Sequence, residues 1–545
     1  MRKLLFVLVV VSSVILSACT TTATPASVAE RTPEVGKEST AEVVQATTEP
    51  VEEPTTKPEE EATTEPTGAQ ELVIGISALS PSLDAGVACT MLSWSMLRFI
   101  NDPLVYTDWD MQTIRPWLAE SWKQLDERTW QFKLRKGVTF HNGEPVDAEA
   151  VRYSLLRYQE KQLCMSFHLG KTFIEDVEIV DPYTVNIITT EPMWTVLDTL
   201  TFIDILPPKA AESEEFATHP VGSGPYRVVS YTPQEQLVLE RNDEYWAYDP
   251  KYERVVIRII AEESTRAAAL EAGEVQLINL VPVDSIERLD ALPNVSVRTV
   301  PSNRPISVGV NMAKDTPFSR DVRLRQAIAY GIDREAIAET ILGGVAQPLP
   351  NYAIPPALKY AVEMPSYAYD PERARELVAE AGFKDGISCV FGSPLGSYLK
   401  DREVGQVLVE QLRNIGIDCE LVQAESGIFI PEARKGADSQ YDLTFLSLSP
   451  ASLGIDYALS VLYTQDPYIG VSNEEVSKPW EEARHTFDEG KRAELYRTAQ
   501  EAAWKWLPLI HVYQQPELHA AVDSLDFEAR PDEWMYLKDR FAITK

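Results

Sequence analysis

Histidine is scarce in this chain. There are six among 545 residues, and no two stand at the spacing that would put a pair of imidazoles on one helix face to hold a metal. Cysteine is nearly as rare, at five, with no Cys-x-x-Cys or mixed Cys/His spacing, so no zinc site is expected. There is no Gly-x-Ser-x-Gly elbow, no His-Glu-x-x-His and no Walker phosphate loop. The acidic residues are many, yet no pair is singled out by its surroundings. No motif for catalysis remains, and the expectation is a protein that is not an enzyme and carries no cofactor. Basic residues are in deficit as well: Lys and Arg number 50 against 83 Asp and Glu, a formal net charge of −33. That argues against nucleic acid as a partner and against attraction to an anionic membrane surface. It does not decide the charge of a ligand, because a cleft can differ from the whole surface. Beyond the first residues, no apolar run is long enough to span a bilayer.

What is present begins with an address. Arg2 and Lys3 precede a short apolar stretch from Leu4 to Leu16, which has the length and flanks of a secretory signal. It ends in Leu16-Ser17-Ala18-Cys19, which resembles the bacterial lipobox, where the signal is cut before a cysteine that is then acylated. Residues 1–18 are therefore read as a lipoprotein signal peptide. Cys19 is the expected lipid attachment point, giving a membrane anchor without a transmembrane helix. Residues 19–69 are rich in Thr, Glu, Pro, Ala and Val. From Thr20 to Ala69 there are eleven Glu against three Lys or Arg, and no aromatic residue. Such a segment cannot bury enough apolar surface to offset the entropy of ordering. It is expected to be a disordered, extended tether.

The remainder is too long for one simple core, so at least two lobes are expected. With 44% hydrophobic residues and eleven Trp, it reads as a large mixed α/β body. Residues 71–76 look like a buried first strand. Residues 129–134 alternate, with Trp130, Phe132 and Leu134 on one face, and read as a half-buried strand hairpinned to 121–124. Asp147 is placed to cap a helix whose apolar face holds Val151, Leu155 and Tyr158. Ser319 is read as the cap of a helix carrying Leu324, Ala327, Ile328 and Gly331. Asp370-Pro371 opens another helix that Gly382 closes.

With Cys19 assigned, Cys89, Cys164, Cys389 and Cys419 remain in an oxidising location. Four cysteines allow three pairings, and sequence does not choose among them. Strands around Cys389 and Cys419 flank a helix over 401–414, and a β-α-β unit would set the two strands side by side. This favours Cys389–Cys419, with Cys89–Cys164 elsewhere; four buried free thiols are the alternative.

Arg115-Pro116-Trp117-Leu118-Ala119-Glu120-Ser121-Trp122, followed by the stretch from Trp130 to Pro145, closely resembles the signature of the extracellular solute-binding proteins of the oligopeptide, dipeptide and nickel family, the receptors of ABC importers. Val221-Gly222-Ser223-Gly224-Pro225-Tyr226, Glu240-Arg241-Asn242-Asp243-Glu244-Tyr245-Trp246, Asp321-Val322-Arg323-Leu324-Arg325-Gln326-Ala327-Ile328, Tyr369-Asp370-Pro371-Glu372-Arg373-Ala374 and Asn414-Ile415-Gly416-Ile417-Asp418 continue the resemblance in order. It implies an α/β, two-lobed periplasmic-binding-protein-like fold (type II, large oligopeptide-binding class) with an inserted subdomain in lobe I. Lobe I would cover 70–301, with the insertion at about 101–205. Lobe II would cover 302–510, and 511–545 would return to lobe I. Ligand binding would close the lobes, and the closed form would dock on ABC permease subunits. The implied place is outside the cytoplasm, lipid-anchored to the outer face of the cytoplasmic membrane, as a monomer.

In peptide-binding members an Asp followed by Tyr in lobe II holds the peptide's α-ammonium, and Gly454-Ile455-Asp456-Tyr457 resembles that segment. The other reading of Asp456 is a cap for a helix over 458–463. The loop after Leu83-Asp84 lines the cleft in relatives, which brings in Thr90 and Trp94. Arg304, near the first lobe crossing, could meet a ligand carboxylate or be a surface arginine. Trp94 and Trp194 could stack on a ring or pack in a core. His141, in a turn beside Gly143, reads as structural. A peptide is the expected ligand; an oligosaccharide or other small solute, or a surface signalling or adhesion role without import, is the alternative. Nickel is the least supported cargo.

Overall fold

The apolar run at 72–76 forms strand β1 (Glu71–Ile76), which has parallel neighbours on both sides. A strand enclosed in that way must be apolar nearly throughout, and the run lacks alternation for that reason. The structure is a computed structural model that describes residues 71–88, 90–161, 163, 173–447, 454–464, 470–538 and 543–544. The signal, Cys19, the tether, Cys89 and Cys164 lie outside the described residues.

After β1 comes helix α1 (Met91–Leu97). Strands β2 (Ala119–Gln124) and β3 (Thr129–Leu134) make the expected hairpin, with Trp130, Phe132 and Leu134 turned inward. Helix α2 (Ala148–Glu160) starts where Asp147 accepts a hydrogen bond from the Ala150 N–H. Strands β4 (Ile174–Asp181) and β5 (Thr184–Thr189) complete a separate sheet of order β2-β3-β5-β4. Helix α3 (Val196–Leu200) closes this unit. Trp117, Phe132, Val151, Val185, Val196 and Leu200 lie in one buried core.

The chain then builds a long sheet. Its strands are β6 (Tyr226–Thr232), β7 (Gln236–Arg241), β8 (Arg254–Ile259), β9 (Leu277–Asn279) and the sixteen-residue β10 (Val295–Val310). Helices α4 (Val322–Gly331) and α5 (Pro371–Glu380) follow. Next come β11 (Ile387–Leu395), α6 (Asp401–Asn414), β12 (Ile417–Glu425) and β13 (Leu443–Ser447). The last described elements include α7 (Gly454–Leu459), α8 (Glu474–Arg484), α9 (Glu489–Trp506) and β14 (Leu509–Val522). The strand order is β12-β11-β13-β10-β14-β9-β1-β8-β7-β6.

Two long antiparallel strands join the two halves of this sheet. Strand β10 pairs with β14 from Val295 opposite Val522 to Pro301 opposite Pro516; the ladder then breaks and resumes at Pro305 opposite Gln514. Proline has no N–H to donate, so three prolines at one point interrupt the ladder and let the strands bend together. One half of the sheet carries a core of Leu72, Ile74, Leu237 and Ile257. The other carries a core of Ile328, Phe391, Leu408 and Phe445, which also takes in Ala267, Leu270 and Val281 from before the break. A further core, built on Tyr441, Leu459, Trp480 and Tyr496, stands beside it.

Two caps differ from the sequence reading. Ser319 does not cap α4. It completes a capping box with Thr316 on the short turn Pro317–Arg320, and the Asp321 carboxylate caps α4 through the Arg323 N–H. Asp456 is not an N-cap either: α7 begins two residues earlier, at Gly454, whose φ of +75 suits glycine, so Asp456 sits inside its first turn.

Candidate functional site

Strands β11 and β12 run parallel and in register around α6, with Cys389 directly opposite Cys419. A disulfide joins them, with Cα atoms 4.4 Å apart. Elsewhere, Gly222 and Gly224 let the backbone pass against residues 100–101: a Cβ at Gly222 would stand 2.1 Å from the Ile100 carbonyl oxygen, and one at Gly224 2.6 Å from it. His141 bridges this close approach. Its Nδ1 accepts from the Gly222 N–H at 3.3 Å and its Nε2 faces the Gly224 carbonyl at 2.9 Å. That arrangement needs the neutral ring, and burial lowers its pKa to about 4.

The centre of the candidate site is Asp456, whose side chain is buried. Its Oδ2 lies 3.2 Å from Arg484 Nε at the end of α8, and its Oδ1 accepts from the Tyr496 hydroxyl of α9 at 3.4 Å. Trp480 Nε1–H donates to the Asp456 carbonyl at 2.9 Å, tying α7 to α8. Burial raises the Asp456 pKa, and the Arg484 charge opposes that rise. The half-buried Tyr457, next in the helix, packs against the core built on β2–β5. Burial raises its phenol pKa. Thus α7 touches both cores, one through Asp456 and one through Tyr457.

Facing Asp456 from the other core is the segment around α3. Burial, and then the Asp456 charge, raise the Asp198 carboxyl to about 7. Trp194, just before α3, donates from Nε1 to the Tyr496 hydroxyl at 3.2 Å. The Arg492 guanidinium lies 4.3 Å from the Trp194 ring centroid and donates to the Tyr360 hydroxyl at 2.9 Å. The indole proposed for stacking on a ligand therefore has an arginine of the chain on its face.

The other sequence candidates are dispersed. Thr90 is exposed and caps α1, accepting from the Ser93 N–H at 3.2 Å. Trp94 donates to the Ala85 carbonyl at 3.0 Å and meets Phe202 edge to face with centroids 5.6 Å apart; it packs in the same core as Tyr457. Arg304 stands at the break in β10 and makes a two-pronged pair with Glu533, at 3.1 and 2.5 Å. Glu533 thus already occupies one edge of its guanidinium. Asp84, which opens the loop of Thr90, is held by a buried ion pair with Arg157. Among the described residues, no group of three or more His, Cys, Asp or Glu could hold a metal ion.

Sequence reading missed Arg484, Tyr496, Arg492 and Asp198. Arg492 and Tyr496 stand four apart on α9, hence on one face. Nothing local says that this face meets a segment 300 residues earlier.

Two α/β halves joined by a pair of shared strands, with a buried carboxylate where the cores meet, define a two-lobed binding protein of the type II periplasmic class. Residues 113–469 match the family of bacterial extracellular solute-binding proteins, family 5, middle region, and the chain belongs to that family of receptors for ABC importers, which are not enzymes. It is similar to the glutathione-binding protein GsiB of Salmonella paratyphi A, with 29% identity over 461 residues, 81% of this chain and 89% of the relative. Its fold is similar to that of the periplasmic binding protein DppA of Helicobacter pylori, solved with the peptide STSA, at a TM-score of 0.74 and 24% identity over 86% of this chain and 98% of that one. The substrate-binding protein CtaP of Listeria monocytogenes matches at a TM-score of 0.76 and 21% identity, over 87% and 99%.

Proposed function

We propose that this receptor captures a short peptide between its lobes and delivers it to the permease of an ABC importer. The buried Asp456 carboxylate, on a helix that touches both cores, supports this reading. Its segment resembles the one with which peptide-binding family members hold a peptide ammonium, and a charge-assisted hydrogen bond to a buried carboxylate is strong and directional. GsiB and DppA carry peptide ligands in their names or complexes. Lobe I is proposed to hold 70–301 with 101–205 inserted, lobe II 302–510, and 511–545 to return to lobe I. Thr90, Trp94, Tyr457 and Arg304 are proposed to line the cleft. Cys19 is proposed as the lipid attachment, holding a monomer at the outer face of the cytoplasmic membrane on the 19–69 tether, which raises its concentration near the permease.

A second reading rests on the ion pair that Asp456 makes with Arg484. A carboxylate so paired needs no ligand amine, and this favours a solute without one. Native and denaturing mass spectra of the purified protein separate the two. A ladder of released masses that fragments as amino acids, lost in Asp456→Ala, is the expected result; a single non-peptide mass or hexose-spaced masses would overturn the peptide reading.

A further inference from the structure

Trp194 departs from the pattern of its neighbours. Met193 and Val196 are buried in the core of β2–β5. Trp194 instead packs against the core of α7, α8 and α9. There it meets the two residues that hold Asp456. Its indole N–H donates to the Tyr496 hydroxyl, and its backbone N–H donates to the Arg484 carbonyl at 3.4 Å. Tyr496 in turn donates to Asp456 Oδ1, and Arg484 pairs with Oδ2. The ring is boxed by Tyr360 and Tyr496, with centroids at 6.1 and 6.2 Å, and by Arg492. Two residues earlier, the Pro192 carbonyl faces His485 Nδ1 at 2.5 Å.

We infer that Trp194 is a positioning residue that couples the Asp456 carboxylate to the contact between the two cores. It grips the same tyrosine and arginine that orient the carboxylate, so a group that binds Asp456 and shifts either of them alters the grip. The tyrosine hydroxyl is the pivot: it accepts from the indole and donates to the carboxylate, so each bond polarises and strengthens the other, and losing one weakens both. This makes a physical two-element link rather than mere proximity. Only its ligand arm rests on the reading of Asp456 as the ligand-binding carboxylate.

Hydrogen exchange on the full chain, followed by mass spectrometry, tests it. Asp456→Asn and Tyr496→Phe should each speed exchange over 190–201 roughly five-fold, the worth of one ordinary hydrogen bond, while 119–134 and 184–189 stay unchanged. Trp194→Phe should do the same, and adding Asp456→Asn to it should produce no further rise. Unchanged exchange over 190–201 in Asp456→Asn and Tyr496→Phe would overturn the coupling, as would a rise spread evenly through the β2–β5 sheet. The dipeptide Met-Leu serves as the ligand probe. Protection of 190–201 in the wild type that is lost in Trp194→Phe supports the link. If Met-Leu binds by calorimetry without protecting 190–201, the coupling falls and the peptide reading stands. If Met-Leu does not bind but the variants behave as stated, the coupling stands, and the peptide reading is decided by the released masses.

Discussion

His511 is buried with both ring nitrogens engaged: Nδ1 faces the Ser307 hydroxyl at 2.7 Å and Nε2 the Ala353 carbonyl at 2.9 Å. Burial lowers its pKa from 6.5 to about 4, as it does for His141. A folded-state pKa below the unfolded one means that the unfolded chain binds the proton first. Stability is therefore intact above about pH 6.5, falls as pH drops toward 4, and levels off below that. Each histidine should withdraw up to about 3 kcal/mol over that window. A melting series from pH 7.5 to 4 checks this, and His511→Gln should flatten the slope. Asp198 has the opposite sign. Its carboxyl is raised to about 7 from 3.8, so the folded state favours the protonated form and stability falls as pH rises between those values. Asp198→Asn should raise the melting temperature at pH 8 and leave it nearly unchanged at pH 3.5. The histidines' scarcity was visible in the chain; their burial was not, because the groups that enclose His511 come from 307, 353 and 463.

Among the elements, those carried by local chemistry were legible. The alternation of 129–134, the Asp147 cap of α2, the Asp370-Pro371 start of α5 and the span of α6 all follow from side chains within one or two turns. The start of α4 was misread because two capping residues lie two apart, and Thr316 claims Ser319 for its own turn. The start of α7 was misread because a left-handed glycine lets the helix begin earlier. The candidate site was half legible: Asp456 and Tyr457 stand out in the sequence by resemblance to a family segment, whereas their surroundings, Arg484, Tyr496 and Trp194, are assembled by packing between distant segments. One element-level test concerns the strands β11 and β12. Their disulfide closes a separation of 30 residues, and Cys389→Ser with Cys419→Ser should cost about 3 kcal/mol in denaturant unfolding. Reductant should lower the wild type to the same value. A second test concerns the approach of Gly222 to Ile100. Gly222→Ala should destabilise by at least about 2 kcal/mol, since the obstacle is backbone rather than a side chain that can turn away.

For the molecule as a whole, the shared strands matter most. Strands β10 and β14 run through both halves of the sheet, and the largest core takes residues from before and after the proline break. Two lobes connected only by linkers would melt separately; two lobes that share strands and a core should melt together. Calorimetry should therefore give a single transition whose calorimetric and van't Hoff enthalpies agree, and two resolved transitions would contradict this. The same break is where hinge motion should act, because the ladder is already interrupted there. Small-angle scattering should then show a smaller radius of gyration with bound ligand than without.

The position of β14 in the chain has a consequence for how such a receptor is made. It lies between β9 and β10 at the centre of the sheet, yet it is the last of the sheet's strands in order of synthesis. Until it emerges, the two halves of the sheet each present an unpaired inner edge, and neither can close. The native sheet can therefore be completed only after nearly the whole chain has been made, so its topology itself delays the folded state.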